Sequence, residues 1–310
     1  MRALTYALGA AADAAFGDPP TALHPVGLVG RAASVLHALA PRTEAKRARY
    51  GLAVALAVPL AAAAAAVAVR RLSRALHPLA GVAAEVALLD ATCALRTLLA
   101  RADEVHRALA TGTIEQARAL LGRHLVSRDT SGLTASEVAA ATIESIAENL
   151  SDGVIAPWLW YACAGLPGAV AYRAANTMDA LWGYRTPEFE ALGRAAARLD
   201  DALNLLPARL TALAIVAASM PGSADASAAG AFATWRADAR ATASPNAGHP
   251  MAAMAGALGV TLTKPGAYTL GDGLRTPQAP DIARAIRLAR RAATLTAAGL
   301  FGALLTLEAA

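Results

Sequence analysis

Aromatic side chains are scarce in this chain, at 5% of 310 residues, and charged residues reach only 16%, against about 25% in soluble domains. No basic patch is interleaved with rings on which bases could stack, which argues against a nucleic-acid partner. Two cysteines, Cys93 and Cys163, stand far apart in apolar surroundings. They make neither a disulfide framework nor a thiolate metal site and read as core or lipid-facing residues. The six histidines show no ligand spacing. GxxxxGK(S/T), GxGxxG and HExxH are all missing, so no P-loop, Rossmann or zincin motif is present. Sustained alternation of apolar and polar residues, the mark of a half-buried strand, is missing too, as are internal repeats.

What fills the chain is apolar: 56% of residues are hydrophobic. The uncharged run 51–69 is long enough as a helix to span a bilayer core, which takes about 20 residues. Further runs cover 78–95, 154–172, 205–220 and 292–307. Glu85 and Asp90 lie inside the second run, and carboxylates at that depth face a cavity or a partner helix. Gly165-Leu166-Pro167-Gly168 breaks the third, as a kinked crossing or a re-entrant hairpin. Residues 1–16 read as a retained helix. The expectation is an all-α polytopic membrane protein, a single domain over 1–310 with about four to six apolar helices and polar helical connections. The net charge is +5, and Arg/Lys clusters at 42–49, 70–74 and 284–291 flank apolar runs in a juxtamembrane pattern. Because two of them bracket the same run, charge counting picks no orientation.

The polar block at 127–153 stands out against this background. Thr134 and Glu137 form a capping-box pattern that starts a helix. At ~100° per residue, Glu137, Glu144 and Glu148 fall in a stripe roughly 40° wide, with Asp152 beside them if the helix continues. Ala139, Ile143, Ile146 and Leu150 fall opposite. The carboxylates are either a solvated face or a set of hard ligands suited to Mg²⁺ and, through it, to phosphate. No basic residue at i+4 pairs with them, and Asn149, Ser151 and Asp152 extend the polar cluster. Arg128, ahead of Asp129 and Thr130, either clamps an anion or pairs with Asp129.

Arg173, Asn176 and Asp179 recur every three residues and share a broad helix face. Arg185 follows at a turn. Arg198, Asp200, Asp201 and Asn204 form another cluster before Pro207. Asn246 lies in a Ser-Pro-Asn-Ala-Gly loop ahead of a helix, where exposed amides can bind an anion or simply make a tight turn. His24, in His-Pro-Val, is the one histidine in a suggestive context.

Taken in this order, the motifs resemble the CobD/CbiB family, the membrane-bound adenosylcobinamide-phosphate synthases of cobalamin biosynthesis. The resemblance runs nearly end to end. It rests on Asp13, Gly17-Asp18-Pro19, His24-Pro25-Val26 and Gly30-Arg31, on 127–133 and 144–153, on 172–179 with Gly183-Tyr184-Arg185, on 197–201 with Asn204 and Pro207-Ala208-Arg209, and on 244–248 with 252–258. A short N-terminal apolar stretch is one departure from the family. The resemblance implies an ATP-dependent ligase that joins adenosylcobyric acid to aminopropanol or its phosphate, or to ethanolamine phosphate, with Mg²⁺ as cofactor and ATP as co-substrate. It implies an inner-membrane protein in contact with lipid, its active site facing the cytoplasm, working beside other cobamide-assembly proteins.

Such chemistry needs metal against phosphates, cations against developing charge and a base for the amine. The residues assigned to metal or amine are Glu144, Glu148 and Asp152. Asp179, Asp200 and Asp201 are assigned to the base or a second metal contact. Arg128, Arg173 and Arg198 are assigned to phosphate, and Asn149, Asn176, Asn204 and Asn246 to corrin amides or phosphate oxygens. His24, Asp129, Thr130 and Arg185 complete the substrate-binding set. The rival reading is a corrinoid or metabolite transporter, or an AmpE-like sensor, using Glu85 and Asp90. A transporter should carry its densest polar residues within crossings, whereas here they lie between them.

Overall fold

The computed structural model describes residues 1–17, 24–184, 186–220 and 226–310. It is helical apart from one hairpin. Five helical stretches among these residues are long and apolar enough to cross a membrane: Glu44–Leu76, Pro78–Thr111, Ala135–Trp182, Glu190–Ala218 and Ala279–Ala309. Each apolar run expected from the sequence overlaps one of them. The chain divides into two compact units, 1–94 with 156–204 and 299–310, and 95–155 with 205–298.

The first unit contains α1 (Arg2–Phe16), α2 (Pro25–Ala38), α3 (Glu44–Leu76), α4 (Pro78–Asp90) and α8 (Ala156–Trp182). It also takes the first half of α9 (Glu190–Ala218) and the end of α12 (Ala279–Ala309). Two His-Pro steps start helices in the same way. His24 and His77 precede Pro25 and Pro78, and each ring Nδ1 accepts from the second backbone amide beyond it, Val26 N at 3.2 Å and Leu79 N at 3.1 Å. Proline suits the first helical position because its missing N–H would lack a partner there. The core of this unit gathers Val29, Val54, Met178, Trp182 and Leu192. Gly193 lets the start of α9 lie against the end of α8: a Cβ there would stand 1.7 Å from the Trp182 carbonyl oxygen.

The break expected near 165–168 is a kink. Gly165 has φ 69°, a left-handed value that glycine tolerates without strain. The interruption frees carbonyls of the preceding turn, and the Arg2 guanidinium donates to two of them, Tyr161 at 2.7 Å and Ala162 at 3.2 Å. Glu85, the carboxylate inside an apolar run, meets partner helices: Arg70 of α3 at 3.4 Å and the Tyr161 hydroxyl of α8 at 2.9 Å. Cys93 is buried and Cys163 exposed.

The second unit contains α5 (Leu95–Thr111), α6 (Ile114–His124), α7 (Ala135–Leu150), a π turn at Ser151–Ile155, α10 (Ala228–Asp238) and α11 (Gly248–Leu258). The capping box read from Thr134 and Glu137 forms: Glu137 accepts from Thr134 N at 2.8 Å, and Thr134 Oγ1 accepts from Glu137 N at 3.3 Å. Gly230 of α10 and Gly256 of α11 let two backbones meet, since a Cβ on either would lie within 2.5 Å of the other's carbonyl oxygen. The strands β1 (Leu262–Lys264) and β2 (Tyr268–Leu270) pair antiparallel, Leu262 opposite Leu270. The sequence reading did not include this hairpin. Three-residue strands are too short for alternation to register, and only the Lys264-Pro265-Gly266 turn signalled it.

Candidate functional site

In the first unit, α8 and α9 bring Tyr172, Arg173, Asn176, Asp200 and Asn204 into one hydrogen-bonded chain. Arg173 Nη1 donates to Asn176 Oδ1 at 3.3 Å, and Asn176 Nδ2 donates to Asp200 Oδ1 at 3.2 Å. From the other side, the Tyr172 hydroxyl donates to Asn204 Oδ1 at 2.8 Å, and Asn204 Nδ2 donates to Asp200 Oδ2 at 3.0 Å. Helical spacing produces this. Tyr172 and Asn176, and likewise Asp200 and Asn204, are one turn apart and share a face. Every donor in the chain points toward Asp200, which is buried, as is Asn204. Around Asp200 both carboxylate oxygens and both amides are bonded, and such a polar network in a low-dielectric interior is rigid and pre-organised. Asp179 and Asp201 lie near enough for their charges to act on Asp200 and on each other.

Arg173 also borders an apolar cavity of about 520 Å³ bounded by α2, α3, α4 and α8. Thr92, Thr177 and Arg173 are the polar residues of its lining. The Arg173 Nε is buried without a hydrogen-bond partner among the described residues. Arg198 is exposed and takes no part in the chain of bonds.

In the second unit the carboxylate stripe of α7 does not simply face solvent. Glu137 is half-buried, Glu144 buried and Glu148 exposed, while Asp152 is half-buried in the π turn. A π turn inside a helical run frequently marks a functional site. Arg128 Nη2 stands 3.7 Å from Glu144 Oε2, so the basic partner missing at i+4 comes from the loop upstream. Tyr268, on the hairpin, lies close enough to Glu144 for the two groups to interact electrostatically, and its hydroxyl is 3.8 Å from Met251 Sδ. Burial first, and then the charges of Glu144 and Glu148, push the Tyr268 phenol well above its ordinary range, which keeps it a donor. Lys264 adds positive charge toward Glu144. Two buried atoms here, Glu144 Oε1 and Arg128 Nε, have no hydrogen-bond partner among the described residues. Among the described residues no three His, Cys, Asp or Glu side chains form a ready-made metal group.

Other expected residues hold local structure. Asp129 accepts from the amide and hydroxyl of Ser131 at 2.9 and 3.0 Å, and these bonds hold its carboxyl below the usual range. Thr130 is buried and donates to the Arg118 carbonyl at 2.8 Å. Asn149 donates to the Ser145 carbonyl at 2.9 Å. Asn246 is buried and accepts from Arg209 Nη1 at 3.1 Å. His24 caps α2. Arg185, like Asp18 and Pro19, lies outside the described residues. Tyr268 and Tyr172 were not singled out from the sequence. Tyr172 sits within a quoted motif, but nothing local marks Tyr268.

The chain matches the CobD/Cbib protein family over residues 6–289. A "Cobalamin biosynthesis protein CobD" of Chromobacterium violaceum is 42% identical over 310 residues, covering 94% of this chain and 95% of that protein. The protein of that name from Mycobacterium tuberculosis is 40% identical over 298 residues, covering 93% and 91%. A "Probable cobalamin biosynthesis protein CobD" of Methanothermobacter thermautotrophicus is 37% identical, covering 93% and 94%. No solved structure matches the chain.

Proposed function

The chain belongs to the CobD/CbiB family, and from that premise we propose that it is an amide ligase of cobalamin biosynthesis, joining adenosylcobyric acid to aminopropanol phosphate, or to ethanolamine phosphate, at the expense of ATP. The observation that carries the reading is Glu144. Among the described residues its Oε1 is buried without a hydrogen-bond partner, beside Arg128. Leaving a buried polar atom unpaired costs about 1–3 kcal/mol, and a ligand removes that cost.

A carboxylate and an ammonium do not condense in water. In the proposed route the corrinoid carboxylate attacks the γ-phosphorus of ATP and ADP leaves, giving an acyl phosphate. The amine, having lost a proton to a carboxylate of the site, then attacks the acyl carbon. The C–O bond breaks and inorganic phosphate departs. Arg128 in the second unit and Arg173 in the first are each suited to hold phosphate oxygens through a planar guanidinium group. Asp200, fixed by two amide donors, retains lone pairs to take the amine proton, and the cavity beside Arg173 accepts an apolar part of the corrinoid.

Mg²⁺ typically uses one or two carboxylates and completes its shell with water and substrate phosphates, so Glu144 with Glu148 or Asp152 fits it without a three-carboxylate cage. When bound it would offset the negative charge of the nucleotide. The decisive experiment incubates purified protein with adenosylcobyric acid, aminopropanol phosphate and ATP, with product followed by mass spectrometry. Formation of the amide with equimolar ADP is expected. No amide with either amino-alcohol phosphate would refute the reading.

A further inference from the structure

The basic residues at the end of α3 take no part in the chemistry above. With the start of α4 and the N-terminal helix, they enclose a second cavity of about 310 Å³. Arg2, Arg70, Arg74 and Glu85 supply its charged side chains, and Thr5 and Gly165 also line it. Glu85 is already bound by Arg70 and Tyr161, and among the described residues no carboxylate forms an ion pair with Arg2 or Arg74. The amine of Met1 at the rim is matched by Glu308 at 2.8 Å. Arg2 is anchored by the two carbonyls before the Gly165 kink, yet its Nε is buried without a hydrogen-bond partner among the described residues. Arg74 is exposed at the end of α3. Gly81 allows the close approach, since a Cβ there would meet that of Arg74 at 2.7 Å.

The surroundings point to the source of the anion. The cavity sits where one apolar helix ends and the next begins. Leu79, next to the lining residue Pro78, is 70% exposed, and Leu72 and Leu76, on the side of α3 away from Arg70 and Arg74, are 69% and 86% exposed. A soluble phosphate would account for the arginines but not for the bare Leu79 beside the cavity. A phospholipid accounts for both, with its phosphate in the basic cavity and an acyl chain over Leu79.

We propose that the cavity formed by Arg2, Arg70 and Arg74 is a binding site for the phosphate of an anionic phospholipid at the membrane boundary. The site is separate from the residues assigned to the ligase reaction. It gives the protein a preference for acidic lipid that a generic apolar belt would not have.

The test uses the full chain, purified in mixed micelles with equal amounts of phosphatidylglycerol and phosphatidylcholine, and native mass spectrometry to count retained lipids. Wild type should retain phosphatidylglycerol over phosphatidylcholine by about tenfold. Arg74→Gln and the double variant Arg70→Gln/Arg74→Gln should lose most of that preference. Arg71→Gln, on the same helix but outside the cavity, should keep it. Equal retention of both lipids by wild type would overturn the proposal, as would an unchanged preference in both cavity variants. Equal loss in Arg71→Gln would mean general surface charge rather than a site. Displacement of the lipid by millimolar inorganic phosphate or aminopropanol phosphate would assign the cavity to a soluble phosphate and overturn the lipid reading. Arg2 is left intact because it also caps the kinked helix, and circular dichroism of each variant verifies the fold.

Discussion

Asn204 sits one helical turn beyond Asp200, donates its amide to Asp200 Oδ2 at 3.0 Å and accepts the Tyr172 hydroxyl at 2.8 Å. The amide can do both because the phenol faces its oxygen, which turns its nitrogen to the carboxylate. A tyrosine hydroxyl on α8 thereby sets the orientation of a carboxylate contact on α9, and Asn176 does the same from the other side.

Tyr172→Phe removes that hydroxyl and leaves the buried Asn204 oxygen without its donor. Unfolding stability should fall by about 1–3 kcal/mol, read from the thermal midpoint in a fixed detergent. Amide formation should also slow, because Asn204 is then free to turn. Asp200→Asn sets an NH2 against one of the two amide donors, so it should cost some stability and lower the rate by about 10²–10⁴, the usual worth of a positioned general base. Activity close to wild type for Asp200→Asn would remove that carboxylate from the proton-transfer role.

Glu144→Gln retains shape and loses charge. The expected outcome is a large loss of ligase rate together with a raised Mg²⁺ requirement, measured by titrating the metal at fixed ATP. Tyr268→Phe should give a smaller loss, about tenfold if one hydrogen bond worth roughly 1.4 kcal/mol is removed. If the two residues act on the same oxygen, their effects should not add in the double variant.

His249 accepts from Trp235 Nε1 at 2.9 Å through Nδ1, which requires a neutral ring. Burial first, then the charges of Arg209 and Arg240, lower its pKa below the ordinary 6.5. The unfolded chain therefore binds the proton more readily than the folded one. The associated stability is fully present above about pH 6.5 and is lost as the pH falls through the lower folded value. The thermal midpoint should drop across that acidic window. In His249→Asn, which keeps an acceptor but does not titrate, this part of the drop should vanish.

Gly193→Ala places a methyl group against the Trp182 carbonyl oxygen. Forcing the start of α9 away from α8 should cost about 1–3 kcal/mol and reduce ligase activity, since both helices carry the Asp200 network. Gly132→Ala, where an added Cβ meets nothing within 4 Å, should leave the thermal midpoint nearly unchanged. A Gly193→Ala protein as stable and active as wild type would show that α8 and α9 adjust to the added carbon.

Several features were legible along the chain because they depend only on near neighbours. Five apolar stretches with helical length, the Thr134 capping box and the Gly165 break are local patterns, and each appears where residue order places it. The spacing of Arg173 and Asn176, and of Asp200 and Asn204, put each pair on one helix face. Burial of Glu144 was not legible, because periodicity separates faces of a helix without saying what covers them. Its neighbours Arg128 and Tyr268 come from a loop and a hairpin outside its helix, and three-residue strands leave no periodic trace. The direction of the bonds around Asp200 likewise depends on which amide atom meets which neighbour across two helices. Helix, cap and crossing are set by interactions within a few residues. Contacts that decide what a carboxylate can do are made between distant segments, and only packing brings those together.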